Sequence, residues 1–252
     1  METKPTRGVL LVSGVLTLLP FMVSCDAGRQ HEGADGSPVL LRSGAHLVIT
    51  TENGLTLRPI DGRRVRVDDR IDGDWSRDGD TWTLRLSCAD REREQRGTAC
   101  PRMPVVRIPG GMSITVSARN AGVDVAGLAA ALDITTVNGD VTMTRSGRDE
   151  APLRLATRNG SVRATALDAG RLHATTTNGD VTLVCTTAPS DVTAATTNGS
   201  VGVTVPHGSP AYRVTTDTDN GRATVGVPTT DDRDVPVMTL TTVNGDVDAR
   251  LR

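Results

Sequence analysis

The sequence predicts an all-β protein, a single-stranded β-solenoid with an irregular N-terminal β cap. Three observations predict it. A Thr-x-Asn-Gly phrase recurs at a spacing near 20 residues, apolar residues alternate with polar ones on both sides of each copy, and aromatic residues are nearly absent.

The phrase occurs six times in the C-terminal half, at Thr136-Asn138-Gly139, Thr157-Asn159-Gly160, Thr176-Asn178-Gly179, Thr196-Asn198-Gly199, Thr218-Asn220-Gly221 and Thr242-Asn244-Gly245. The six Asn positions step by 21, 19, 20, 22 and 24 residues. An isolated copy lies upstream at Thr51-Asn53-Gly54. A near-constant period of this length is the signature of stacked units.

Around each Asn the same columns return. Apolar pairs sit six and four residues before it, as in Leu132/Ile134, Leu153/Leu155 and Met238/Leu240. They also sit three and five after it, as in Val141/Met143, Val181/Leu183 and Val247/Ala249. The Asn220 unit departs, with Thr216 in an inner slot and the apolar pair Tyr212/Val214 two residues early. Period-two alternation makes each unit a strand, an Asn-Gly turn and a second strand. Such a unit also fits an antiparallel meander of hairpins, because Asn-Gly is the strongest short hairpin signal. Recurrence of the Thr favours the solenoid, in which identical positions stack about 4.8 Å apart and hydroxyls bond to neighbours above and below. An earlier, imperfect unit precedes the six, with Ile114, Val116, Asn120-Ala121-Gly122, Val123 and Val125, and seven units make a column of about 34 Å. The residue following each Asn-Gly reads Asp140, Ser161, Asp180, Ser200, Arg222 and Asp246. No two Asp are adjacent, which reads as avoidance of like-charge stacking rather than as a ladder of metal ligands.

The chain divides into a targeting segment at 1–25, a tether at 26–37, the cap region at 38–111 and the repeat array at 112–252. Lys4 and Arg7 precede an apolar run from Gly8 to Val23, too short for a comfortable membrane span of roughly 20 residues. It ends Met22-Val23-Ser24-Cys25. That ending resembles a bacterial lipobox, with Met22 in place of the usual Leu, and makes Cys25 the lipidation site. The tether is polar and Gly-rich. The cap region carries short strands between Asp-Gly turns, and Trp75 and Trp82 flank one of these turns as apolar plugs. A sugar-stacking role for the two Trp is the alternative.

Exported proteins tolerate disulfides. Cys88 and Cys100 flank a polar loop and are the expected bridge, with about 2–3 kcal/mol gained by constraining the unfolded chain. Cys185 falls at an apolar strand end and reads as a buried free thiol.

With Glu2, Lys4 and Arg7 removed, the chain holds 26 basic and 29 acidic residues. No field for nucleic acid remains. The lipoprotein signal, the irregular β cap and the Thr-x-Asn-Gly-Asp/Ser-Val units resemble the bacterial toast-rack β-strand-repeat family over about residues 40–252. The resemblance implies a β-strand stack on the extracytoplasmic face of the cell membrane and an adhesin-like role of unknown detail. It implies no catalytic residues.

No residue pattern here supplies a catalytic site, a metal site or a cofactor site. The four His (His31, His46, His173 and His207) have no partners at motif spacing and read as exposed polar residues. Residues 123–131 read as an inter-strand bend rather than a helix. The densest acidic group, Asp231, Asp232 and Asp234, lies in the longest spacer and reads as a solvated turn. The expected function is therefore non-catalytic: surface binding, adhesion or scaffolding. An accessory sensor of envelope stress is the alternative, and a polysaccharide-active β-helix enzyme is a weaker one, since paired carboxylates on one face are missing. The expected partners are the membrane, through the lipid, and a protein or glycan at the cell surface. The final segment, Asp248-Ala249-Arg250-Leu251-Arg252, reads as an open strand edge and hence as a surface for self-association.

Overall fold

A computed structural model describes residues 40–88 and 100–252. Cys25, the 26–37 tether, His31 and the loop at 89–99 lie outside the described residues. The described chain contains nineteen strands and no helix. Parallel pairing between units decides for the solenoid over the hairpin meander.

Each turn of the coil is a rung made of a front strand, a corner and a back strand. In sequence the first two rungs are β1 (His46–Thr51) with β2 (Leu55–Ile60), and β5 (Thr81–Ser87) with β6 (Val105–Pro109). Next come β7 (Ser113–Ala118) with β8 (Val123–Ala126), and β9 (Ala131–Thr135) with β10 (Val141–Thr144). Then β11 (Gly147–Ala156) leads to the first part of β12 (Val162–Thr175). That strand crosses from the back sheet to the front and starts the next rung, which ends in β13 (Val181–Cys185). The remaining rungs are β14 (Asp191–Ala195) with β15 (Val201–Val205), β16 (Arg213–Asn220) with β17 (Ala223–Gly226), and β18 (Val237–Asn244) with β19 (Val247–Leu251). Two short strands, β3 (Arg66–Val67) and β4 (Asp72–Asp78), stand outside this scheme.

Seven of the nine rungs are the units of the array, one is the isolated upstream copy, which also reads as a degenerate repeat, and one, β5/β6, is not marked by the phrase; together they span about 38 Å at 4.8 Å per step. Residues 46–60 supply a regular rung, because Leu47, Ile49, Leu55 and Leu57 fill the same inward columns as the later repeats. The chain order and the spatial order disagree at both ends. The β5/β6 rung follows β1/β2 in sequence but stacks outside it, leaving β1 between β5 and β7. At the far end β18/β19 inserts between β14/β15 and β16/β17.

The core is a narrow double column of Val, Leu, Ile, Ala and Met between the sheets. Facing strands of such small side chains need no aromatic filler. The first end is covered. β4 pairs antiparallel with β5, and β3 with β6. Trp75 and Trp82 meet edge-on at 6.3 Å between ring centroids and pack against the last core residues, with the Arg77 guanidinium 5.1 Å from the Trp82 ring centre. In the β5/β6 rung the corner is replaced by the Cys88–Cys100 disulfide, whose Cα atoms lie 6.3 Å apart. Residues 127–130 form the bend between β8 and β9.

Candidate functional site

Three surfaces result: the corner that carries the repeated phrase, the outer faces of the two sheets, and the uncovered end of the stack.

At the corner every member of the phrase has a distinct bond. The Asn side chains form one line of amides, each Nδ2 donating to the Oδ1 of the next rung. Asn159 donates to Asn138 at 2.8 Å, Asn178 to Asn159 at 2.9 Å, Asn198 to Asn178 at 2.9 Å, Asn244 to Asn198 at 2.8 Å and Asn220 to Asn244 at 2.9 Å. The Thr column is buried except at half-buried Thr218, and its hydroxyls do not bond to one another as the sequence suggested. Each Oγ1 donates to a corner carbonyl of the neighbouring rung: Thr157 to Gly139, Thr176 to Gly160, Thr196 to Gly179, Thr242 to Gly199 and Thr218 to Gly245, all at 2.8 Å. Thr136 donates instead to the Ala121 carbonyl of the preceding unit, whose corner reads Asn120-Ala121-Gly122. A carbonyl is the nearer acceptor because the tight corner turns it towards the hydroxyl of the adjacent rung.

The column after Asn-Gly does more than keep like charges apart. In space it runs Asp140, Ser161, Asp180, Ser200, Asp246, Arg222, and the members bond from rung to rung. Asp140 Oδ1 accepts the Ser161 amide at 2.7 Å, and Asp180 Oδ1 accepts the Ser200 amide at 2.9 Å. Ser161 and Ser200 Oγ accept the Asp180 and Asp246 amides, each at 3.2 Å. Asp246 Oδ1 accepts the Arg222 amide at 2.8 Å. Alternation of Asp with Ser is regular in space only because β18/β19 is inserted. The exposed corner is thus a self-satisfied polar rib, and its carboxylates are occupied by backbone donors.

The outer faces are flat and mixed in charge. Arg58 pairs with Asp124 on the back sheet, and Arg163 with Asp140 at 3.2 Å. Asp68, held by Arg70 at 2.8 Å, keeps its carboxyl at about 2, chiefly through that side-chain bond. His46 is not a free exposed residue, since its Nε2 lies 2.9 Å from Thr115 Oγ1. His173 is half-buried on the front sheet, and burial, aided by Arg154, lowers its pKa from the ordinary value. His207 is exposed. An open depression of about 440 Å³ beside the covered end is lined by Pro59, Ile60, Asp61, Arg66 and Arg107. Among the described residues no three His, Cys, Asp or Glu side chains converge as metal ligands.

Cys185 and Tyr212 are both buried near the far end. Burial pushes the Cys185 thiol up to about 12 and, together with nearby Cys185, the Tyr212 hydroxyl up to about 12. A thiol that stays protonated and covered is a poor nucleophile. Native protein is therefore expected to leave Cys185 unlabelled by iodoacetamide at pH 8, with labelling only after denaturation. Rapid labelling of the native protein, read by mass spectrometry, would contradict the buried placement.

The uncovered end is where the sequence reading needs correction. Asp248–Arg252 does not form an open edge, because β19 is paired on both sides, with β15 and with β17. The edge belongs to β16 and β17, which among the described strands pair only with β18 and β19. All four residues of β17 are exposed, Val225 at 40%. Another segment meets this edge at its start, through the Tyr212–Thr229 bridge and through the Arg213 guanidinium, which donates to the Arg233 carbonyl at 3.5 Å. The sequence did carry a signal for this. The Asn220 unit is the one with Thr in an inner slot, and terminal repeats are the atypical ones.

A family profile described as Toastrack DUF4097 matches residues 110–250, more than half of the chain. The chain belongs to the Toastrack DUF4097 family. The matched stretch begins at β7 and runs through β19, so it takes in the Asn-Gly rungs of this Toastrack protein and leaves out its covered end. Two solved structures show likeness to the Toastrack chain. One is a candidate adhesin from Bacteroides fragilis, 13% identical, covering 84% of this chain and 95% of its own, with a TM-score of 0.43. The other is a candidate cell adhesion protein from Clostridium sporogenes, 5% identical, covering 86% and 98%, with a TM-score of 0.39. No curated protein matches the Toastrack chain at a significant level.

Proposed function

We propose that this protein is a lipid-anchored, non-catalytic display rod of the cell envelope, which holds a binding surface away from the extracytoplasmic face of the membrane. One observation carries the reading. The described chain enters the stack at its covered end, where Leu40 bridges Arg64 and the Leu41 amide donates to the Arg63 carbonyl at 2.9 Å. Cys25 precedes Leu40 by fifteen residues. A lipid on Cys25 holds the covered end near the bilayer, and the open β16/β17 end then lies about 38 Å further out. Corner and faces add a stiff, regular column between anchor and tip, in which polar groups are engaged with one another rather than poised for chemistry.

Cys25→Ala is the direct test. The variant is expected to move from the membrane fraction to the soluble extracytoplasmic fraction. A Cys25→Ala protein that stays with the membrane would sink the anchoring claim.

A further inference from the structure

We propose that two copies of this chain join end to end by antiparallel pairing of their β16 strands, and that the partner of the open end is therefore a second copy. The proposal that such a pair links two facing membranes rests on the display reading above; the pairing itself does not.

The two ends of the stack are built differently. The first end has its strand edges occupied by β3 and β4 and its core plugged by Trp75 and Trp82. At the other end the inward-facing residues of the terminal rung have no layer above them: Val214 is half-buried, and Ala223 and Val225 are exposed. An open edge above an uncovered core invites strand addition. Among the described strands β4 pairs only with β5, so the first end also keeps a strand edge, but its core is already plugged by the two Trp. Only a two-fold pairing of like ends sets uncovered core against uncovered core. A two-fold pair presents the same patch on both copies, so the patch must be complementary to itself.

The charges of β16 meet that requirement. Arg213 lies at one end of the strand, and Asp217 and Asp219 lie towards the other. In an antiparallel pair with its axis at Thr215, Arg213 of each copy stands opposite Asp217 of the other. With the axis at Thr216, Arg213 stands opposite Asp219. Both arrangements form two matched cross-strand charge pairs. The same strand meeting a foreign edge has no such guarantee, so its charges admit a second copy while opposing general aggregation. The facing β17 strands, Ala223–Gly226, are uncharged and bring Val225 against its equivalent. Thr229, bridged to Tyr212, occupies the edge at that residue and favours the axis at Thr216, which brings only the partner strand's last residue, Asn220, opposite Tyr212, whereas the axis at Thr215 would bring Thr218 there. The two chain entries lie at opposite extremes of such a pair, so lipid anchors on both would sit in two separate membranes.

The test combines solution and membrane measurements. Residues 26–252 retain every described strand and every core residue. This lipid-free protein is expected to sediment as a concentration-dependent dimer. Arg213→Glu, a change at a half-buried residue whose guanidinium also donates to the Arg233 carbonyl at 3.5 Å, is checked by an unaltered melting curve and is expected to weaken the dimer on the order of tenfold or more by setting like charges opposite each other twice. Adding Asp217→Arg or Asp219→Arg to that variant is expected to restore the dimer, and the one that does so reports the axis position. A monomer at all concentrations, or a dimer indifferent to Arg213→Glu, overturns the proposal. Vesicles bearing the full lipidated protein are expected to cluster, and vesicles bearing Arg213→Glu to stay dispersed. A charge-sensitive solution dimer without vesicle clustering upholds the pairing and overturns the display orientation.

Discussion

Deleting Val237–Arg252 is expected to release two rungs of the stack rather than one. In a solenoid whose rungs follow chain order, trimming the last repeat shortens the rod and leaves the rest in place. Here the last repeat is the second rung from the end. Met238, Leu240, Val247 and Ala249 are fully or almost fully buried between the layers above and below. Losing them removes the only partners of β16 and β17 among the described strands and uncovers Val192, Ala194, Val201 and Val203 on the other side. Four lost inward residues alone represent about 5 kcal/mol or more of burial. Hydrogen exchange should show residues 213–226 unprotected in the truncated protein, together with a lower melting temperature. Persisting protection of 213–226 would mean that β16/β17 can dock directly on β14/β15.

Gly179→Ala is expected to cost about 3 kcal/mol or more. At φ +141° the residue sits where side chains are strained, and a Cβ would overlap the carbonyl oxygen of Gly160. That oxygen also accepts the Thr176 hydroxyl at 2.8 Å, so forcing the rungs apart strains a partly buried hydrogen bond as well. Gly202→Ala is the matched control. Gly202 lies in β15 with open space around a would-be Cβ, and the change there is expected to be neutral or slightly stabilising. Chemical denaturation of the two variants checks the contrast, and equal stabilities would refute the corner argument.

What could be read from the sequence follows from what repetition encodes. Period, strand alternation and the Asn corner were legible because each is local and occurs several times. The direction of the Thr hydroxyl was not, since it depends on where the neighbouring carbonyl points after the corner has closed. Rung order was hidden for a different reason: sequence periodicity counts units but does not number them in space. The clue lay in quality rather than spacing. Met238/Leu240 and Val247/Ala249 are good core pairs, whereas Thr216 and exposed Ala223 belong to a unit that needs only one covered side. Reading the least regular unit as the outermost one would have moved the candidate surface from Asp248–Arg252 to β16/β17. The covered end was legible in its Cys88–Cys100 bridge and its two Trp but not in its strand order, because the antiparallel strands β3 and β4 occur once each.

The inserted rung also constrains the order in which the chain can assemble. A stack growing one rung at a time from the covered end reaches β14/β15 and then meets β16/β17, long before β18/β19 exists as a competitor. The native arrangement needs that site vacant when the last strands arrive, or vacated for them. The contacts that close it span 43 residues from Thr242 to Gly199 and 46 from Asn244 to Asn198, against 19 to 21 along most of the ladder. Lengthening the loop about twofold costs only about 0.6 kcal/mol in chain entropy. Burial of two additional apolar pairs outweighs that amount several times. Thermodynamics thus selects the out-of-order stack, and the last sixteen residues act as a wedge that sets the terminal layer in place only once the whole chain is present.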